Sequence, residues 1–308
     1  MAETKYFVFF DFEMLCSNRG MKYENMEAIR LGAVKYEIAS EKVTSFDRFI
    51  KPINRRPLTA FCKELTGIKD SDLVDAAPFN EVFTDFLTWV GGIKKTRFFS
   101  WSKSDLSRLK IDAEKHQVSP VTIKKIEYRY VDFQAILSKR VSKENLSVQN
   151  ALDLYELEFE GKQHNPMFDA YNTLRIYLSF LNQPVKSDLI MLNHFVFDKV
   201  LTNRVKVNGL LKKQMQKDLE QLTVELKEMY KLRHAQKMIK QVKRLSQKYE
   251  NILINRSGLF SVEVIQTAKI IKDFYEDLLV SYQEHFRHSS KIMILDEHLV
   301  APIKQLAI

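Results

Sequence analysis

The chain reads as an α/β protein: a mixed five-stranded sheet flanked by helices, followed by an all-α C-terminal region forming a helical hairpin or small bundle. Three observations predict this. The apolar run Tyr6-Phe7-Val8-Phe9-Phe10 closes on Asp11-Phe12-Glu13 and has the composition of a buried central strand. Further strand patterns follow it, first as a meander and then alternating with helical patterns. Finally, Leu210 to Asn255 contains neither Gly nor Pro and repeats apolar residues at helical spacing.

Taken in order, residues 27–38 form the second predicted strand. Ala39-Ser40-Glu41-Lys42 is a turn, and Val43 to Ile50 returns as the third strand. Pro52 and Pro57 punctuate a loop. Leu58 to Thr66 is helical, with Pro57 at its start and Gly67 at its stop. Pro78 opens a helix through Trp89, which Gly91-Gly92 ends. Arg97 to Trp101 is a short fourth strand. Ser102 or Ser104 caps a helix to about His116, and Glu127 to Val131 is the fifth strand. Helices follow at about 132–140, 147–156 and 167–182.

Beyond Gln183-Pro184 the pattern changes, which predicts a domain over 1–185 and a basic helical region over 186–308. Leu219, Leu222, Leu226 and Met229, then Met238, Val242, Leu245, Tyr249 and Ile252, fit an amphipathic helix or a coiled-coil seam. The register slips between Met229 and Met238, which calls for a stutter or bend. Ser257-Gly258 breaks the pattern, and Ile265 to Tyr282 resumes it. Residues 200–290 are thus expected to form the hairpin or bundle, and the tail from Lys291 has no assigned structure.

Hydrophobic residues make up 45% of the 308 residues and charged ones 28%, the proportions of a folded, soluble protein. No apolar stretch reaches the roughly eighteen residues of a membrane span, and the N-terminus lacks a signal-peptide pattern. Cys16 and Cys62 have neither disulfide-framework nor zinc spacing, so a cytoplasmic protein with reduced thiols is expected. The charge is uneven: residues 199–256 hold 15 Lys+Arg against 5 Asp+Glu. That excess suggests either a surface for phosphates and acidic partners or a solvated lysine-rich helix.

Side chains alternate along a strand, so Asp11 and Glu13 point to the same side. Two carboxylates so placed repel unless a proton or cation lies between them, and hard divalent cations take such ligands. Asp105 falls in the first turn of the helix after the fourth strand, and Asp169 in the first turn of the helix near Pro166. Each by itself reads as an ordinary helix-dipole or capping acid. His164 precedes Asp169 in the spacing H-x4-D. The other histidines show no metal-ligand spacing, and no Gly-rich phosphate loop or G-x-S-x-G is present.

Together, Asp11, Glu13, Asp105, His164 and Asp169 resemble the set that defines the DEDDh 3′→5′ exonucleases (RNase T/DNA polymerase III epsilon-like), over about residues 5–182. The flanks Phe46 to Pro52, Phe61 to Ile68 and Trp89 look most like the subgroup of 3′ histone-mRNA and small-interfering-RNA exonucleases and KapD proteins. The resemblance implies a ribonuclease H-like fold. It also implies two divalent ions, Mg2+ or Mn2+, which can activate water and stabilise charge on a phosphodiester. Asp11 would bridge both ions, Glu13 and Asp169 would help hold the one that binds the attacking water, and Asp105 would act near the second. His164 would accept the water's proton. The product would be nucleoside 5′-monophosphates from a free 3′ end.

Phe61 and Leu65 would pack against the terminal base and the main chain around Phe12–Met14 would approach its sugar, although i and i+4 apolar residues also suit plain core packing. The implied substrate is single-stranded, RNA favoured over DNA. Two departures stand out. Ser104 replaces the usual aromatic before the third acid, and His-Asn-Pro-Met-Phe-Asp-Ala replaces the common H-R-A-L-D-D-A, so Phe168 stands where an acid is usual. Two further expectations are a homodimer through the C-terminal helices and, as an alternative function, a regulatory binding protein of KapD type.

Overall fold

The computed structural model describes residues 3–197, 201, 204–288 and 291–307. Two compact units emerge: residues 1–139 with 144–182, and residues 140–143 with 183–308.

The first unit is built on a five-stranded sheet ordered β3-β2-β1-β4-β5, the mixed sheet that the sequence predicts. β1 (Tyr6–Met14), β2 (Ala28–Glu37) and β3 (Val43–Phe49) form the antiparallel meander, while β4 (Thr96–Ser100) and β5 (Tyr130–Asp132) run parallel to β1. β1 is central because Val8, Phe9, Phe10 and Phe12 bury apolar surface on both of its faces. It continues through Met14, so Asp11 and Glu13 lie within the strand rather than after it, where the sequence reading placed them.

Five helices precede β5: α1 (Ala60–Thr66), α2 (Asp70–Val74), α3 (Phe79–Val90), α4 (Lys103–Lys115) and α5 (Pro120–Tyr128). Three follow it: α6 (Phe133–Val141), α7 (Val148–Leu154) and α8 (Pro166–Asn182). On one face of the sheet, Val8, Phe10, Phe12, Leu31 and Phe46 pack with Phe79, Phe83 and Phe86 of α3 and with Leu106 and Leu109 of α4. On the other, Tyr177 of α8 meets Phe9 and Phe99 at 5.4 and 4.8 Å between ring centroids.

The expected fifth strand, Glu127 to Val131, begins too early: Glu127 and Tyr128 close α5, and β5 starts at Tyr130. Pro120 opens α5 behind Ser119, and Ile123 and Ile126 turn inward with helical spacing. A strand of three residues remains. The short α2 carried no periodic signal and went unforeseen.

The second unit holds α9 (Pro184–Phe195), α10 (Val207–Glu225), a strand β6 (Met229–Lys231), α11 (Leu232–Tyr249) and α12 (Val262–Arg287). It closes with β7 (Ile292–Ile294) and α13 (Glu297–Leu306). The slip between Met229 and Met238 is a complete break: β6 pairs antiparallel with β7. Leu219, Leu222, Met238, Val242, Tyr249 and Ile252 all enter this unit's own core. The expected coiled-coil seam is therefore used internally. Parts of the predicted 200–290 bundle, residues 200, 202–203 and 289–290, lie outside the described residues. No helix among those described is long and apolar enough to cross a membrane.

Candidate active site

The site forms where the parallel strands end. The β1–β4 ladder stops at Phe9↔Phe99, and β1 runs on past it with only β2 as partner. A parallel neighbour delivers its following helix to the same edge, the crevice at the carboxyl ends of the strands. Ser102 caps that helix, α4, by accepting the Ser104 N–H. Asp105 in its first turn is buried, and its Oδ1 accepts the Phe12 N–H at 3.2 Å.

Asp169 arrives on α8. Gly32 pairs with Asp11 across β1 and β2, and a Cβ on Gly32 would lie 2.0 Å from the Met167 nitrogen. Only a bare backbone lets the first turn of α8 settle there. Asn165 secures that turn: its side-chain oxygen accepts the Met167 N–H at 3.1 Å and its carbonyl the Asp169 N–H at 2.9 Å. As a result, carboxylate oxygens of Asp11, Glu13 and Asp169 lie within 4.8 Å of one another. Asp105 stands close enough for its charge to act on Asp11.

The charges penalise one another. Burial first, then the charges of Asp105, Asp169 and Glu13, raise the Asp11 carboxyl well above the usual range. Burial and Asp169 push Glu13 up to about 8, against the pull of Arg30. Burial takes Asp105 to about 7, although it accepts hydrogen bonds from Phe12 and others. Burial takes Asp169 to about 7 as well, opposed by the His164 backbone N–H. A pocket of four oxygen donors that hold protons this tightly suits a hard cation, which satisfies the same charge.

Arg30 and Gly32 are site residues that the sequence reading missed. Arg30 stands directly across from Glu13 in the ladder and is clamped to Asp47 at 2.8 and 2.6 Å. It therefore places a fixed positive charge beside the acids. A lone arginine and glycine inside an apolar strand were the available signals. A register irregularity at Glu13/Met14 marks the same end of the strand.

His164 is exposed, with its backbone in the left-handed region at φ 58°. Its N–H turns toward Asp169, while the imidazole is outside the carboxylate cluster. The loop is anchored at Gly161, where a Cβ would sit 2.2 Å from the Phe168 ring. Asn172 adds hydrogen bonds to the Glu160 backbone, accepting its N–H at 3.1 Å and donating to its carbonyl at 2.9 Å. Phe168, the departure from the acid usual at this position, packs against the loop that carries the histidine.

Phe61 and Leu65 are each 38% exposed, while Cys62 beside them is fully buried. Core packing therefore covers them only in part. Thr59 caps α1 through the Cys62 N–H (3.0 Å) and donates to the Cys16 carbonyl (2.8 Å), so α1 is tied to the segment leaving β1. The Phe12 ring belongs to the core and its amide to Asp105. Met14 packs against the same core, and its carbonyl faces the Cys62 thiol at 3.7 Å. Burial pushes the Cys16 thiol up to about 12, which keeps it protonated and unreactive. Trp101 is structural, donating to the Leu146 carbonyl at 3.0 Å. The Ser104 carbonyl accepts the Tyr23 hydroxyl at 2.7 Å, and the Arg108 guanidinium lies over the Tyr23 ring at 5.1 Å.

The sequence profile of the RNase_T exonucleases matches residues 8–177. Human ERI1 exoribonuclease 2 is 25% identical over 191 residues, covering 54% of this chain and 27% of the human protein. The 3′-5′ exonuclease crn-4 of Caenorhabditis elegans is 24% identical over 188 residues, covering 57% of this chain and 63% of the nematode protein. Among solved structures, the nuclease domain of 3′hExo, a DEDDh family member, superposes with a TM-score of 0.54 at 18% identity. That match covers 60% of this chain and 96% of the other, and it supports the ribonuclease H-like fold. The chain thus spans about a quarter of the length of the human relative it matches.

Proposed function

The chain belongs to the RNase_T exonuclease family, and from that premise we propose that it is a metal-dependent 3′→5′ exonuclease. One observation carries the reading: carboxylate oxygens from Asp11, Glu13 and Asp169 converge within 4.8 Å, with Asp105 hydrogen-bonded to the same strand. These four would hold two divalent ions, Mg2+ or Mn2+. Such ions supply polarisation of a phosphodiester and a lowered pKa for attacking water.

The chain's own groups do the rest. Asp11, on the central strand, would hold the ions together with Glu13 and Asp169, and Asp105 would complete the set from α4. His164 takes the proton from the attacking water, and its exposed loop position leaves it free to approach a bound strand. Phe61 and Leu65 offer an apolar platform to the terminal base. The main chain at Phe12–Met14 approaches the sugar, although the Phe12 N–H is already engaged. The substrate is the 3′ end of a single strand, RNA favoured over DNA as with the relatives named exoribonucleases, and the products are nucleoside 5′-monophosphates. Reduced thiols fit a cytoplasmic setting. A homodimer through the C-terminal helices is not part of the proposal, because Leu219, Leu222, Met238, Val242, Tyr249 and Ile252 of the expected seam are buried within one chain. Nor is a regulatory role of KapD type favoured, since the whole acid set is assembled.

The test is release of mononucleotides from a 3′-labelled single strand with Mn2+ or Mg2+, comparing the wild type with Asp11→Asn and matched RNA with DNA. Divalent-dependent release by the wild type alone is expected. Equal release by both proteins, or none by either, refutes the enzyme.

A further inference from the structure

The outer face of α11 bears charge that the acid cluster does not explain. Leu232–Tyr249 contains six lysines and arginines and no acid. Ala235, Met238, Ile239, Val242 and Tyr249 turn inward to the core of the second unit. At about 100° per residue, Arg233, Lys237, Lys240 and Arg244 fall on a narrow arc opposite that core. All four are exposed, and among the described residues none is in an ion pair. By contrast, Lys248 of the same helix pairs with Asp218 at 2.5 Å.

A helix decorated only for solubility alternates its signs at i,i+4. Here like charges sit at 233/237, 237/240 and 240/244, and Arg233 lies in the first turn, against the macrodipole. Each arrangement weakens the helix in isolation, and a polyanion laid along it relieves all of them. The stripe runs about 16 Å, matching roughly five phosphates of a strand at B-form rise.

We propose that this stripe of α11 is a second nucleic-acid surface, which holds the phosphate backbone of a single strand without reading its sequence. The choice of nucleic acid as occupant rests on the exonuclease reading above. An anionic membrane fits less well, because the apolar face that would enter lipid is buried in the core.

The experiment uses the full chain in EDTA, so that the probe is not consumed. Anisotropy of a labelled single strand of about thirty nucleotides is followed against salt. The variant R233Q/K237Q/K240Q/R244Q should bind roughly tenfold more weakly, and its log–log salt slope should be shallower by about 3. The charge-keeping variant R233K/K237R/K240R/R244K should bind like the wild type. With divalent ions present, all three should release mononucleotides equally from a strand of only a few nucleotides. Unchanged binding in the glutamine variant overturns the proposal, as does equal loss in the charge-keeping one. Loss of binding to phosphatidylserine vesicles but not to the oligonucleotide overturns it in favour of lipid. Absence of mononucleotide release from every protein refutes the exonuclease reading, and the anisotropy still decides the stripe.

Discussion

Asp11, Glu13, Asp105 and Asp169 oppose the fold that assembles them, and that opposition depends on pH. Unfolded, such carboxyls titrate near 3.8 for Asp and 4.5 for Glu, whereas in the folded chain Glu13 rises to about 8 and Asp105 and Asp169 to about 7. The folded state then binds more protons than the unfolded one between about pH 4 and pH 8, so stability falls as pH rises through that window. In EDTA, the melting temperature should drop between about pH 5 and pH 8. Saturating Mn2+ should flatten the profile, and Asp11→Asn should lessen the drop. A melting temperature that stays level in EDTA would mean that the acids do not share a site. Gly32 supplies the other test at this scale. Gly32→Ala sets a methyl against the Met167 backbone, at a cost of about 1–3 kcal/mol in stability. By displacing Asp169 it should also lower exonuclease activity by about a hundredfold. Gly209→Ala, with nothing within 4 Å of its Cβ, should leave activity intact and stabilise α10 by up to about 1 kcal/mol. Strand alternation put Asp11 and Glu13 on one side, but Asp105 and Asp169 read singly as ordinary first-turn acids, and only the resemblance of the whole set joined them. Gly32 was not readable, because its meaning lies in a helix more than a hundred residues away.

At the scale of elements, α1 presents an exposed face beside the end of β1 that calls for a role. It is capped, tied to the end of β1 through Thr59, and turns Phe61 and Leu65 outward. Stacking on such side chains is worth about 1–3 kcal/mol per base. Phe61→Ala and Leu65→Ala should therefore raise KM roughly 5- to 100-fold, with kcat and melting temperature little changed. An unchanged KM would return both residues to mere surface. The meander, β4, α3, α4 and α8 could be read from the sequence because period-2 and period-3.6 patterns were bounded there by Pro, Gly and Ser. Glu127–Val131 was right only in its second half: Glu127 and Tyr128 finish α5, whose Ile123 and Ile126 hold a helical face, and the strand begins at Tyr130. The β6–β7 ladder was invisible for another reason: each strand has three residues, and their partners lie some sixty positions apart.

Across the whole molecule, the two units carry separate apolar cores, one around the sheet and one among α9 to α13. The division falls between residues 182 and 183 and draws residues 140–143 into the second unit, which no pattern in the sequence announced. Every carboxylate proposed as a metal ligand belongs to the first. A ligand that binds only a folded unit stabilises that unit by mass action, about 2.7 kcal/mol at a hundredfold excess over Kd. If the cores unfold independently, calorimetry of the full chain resolves two transitions, and Mn2+ moves one of them upward while the other stays. Asp11→Asn should abolish most of that movement without altering the second transition. Conversely, a single-stranded oligonucleotide added in EDTA should raise the metal-insensitive transition if α11 holds the strand, and R233Q/K237Q/K240Q/R244Q should cancel that rise. One transition that moves as a whole with Mn2+ would show the cores to be coupled, and the charge of α11 would then have to be read together with the acids rather than apart from them.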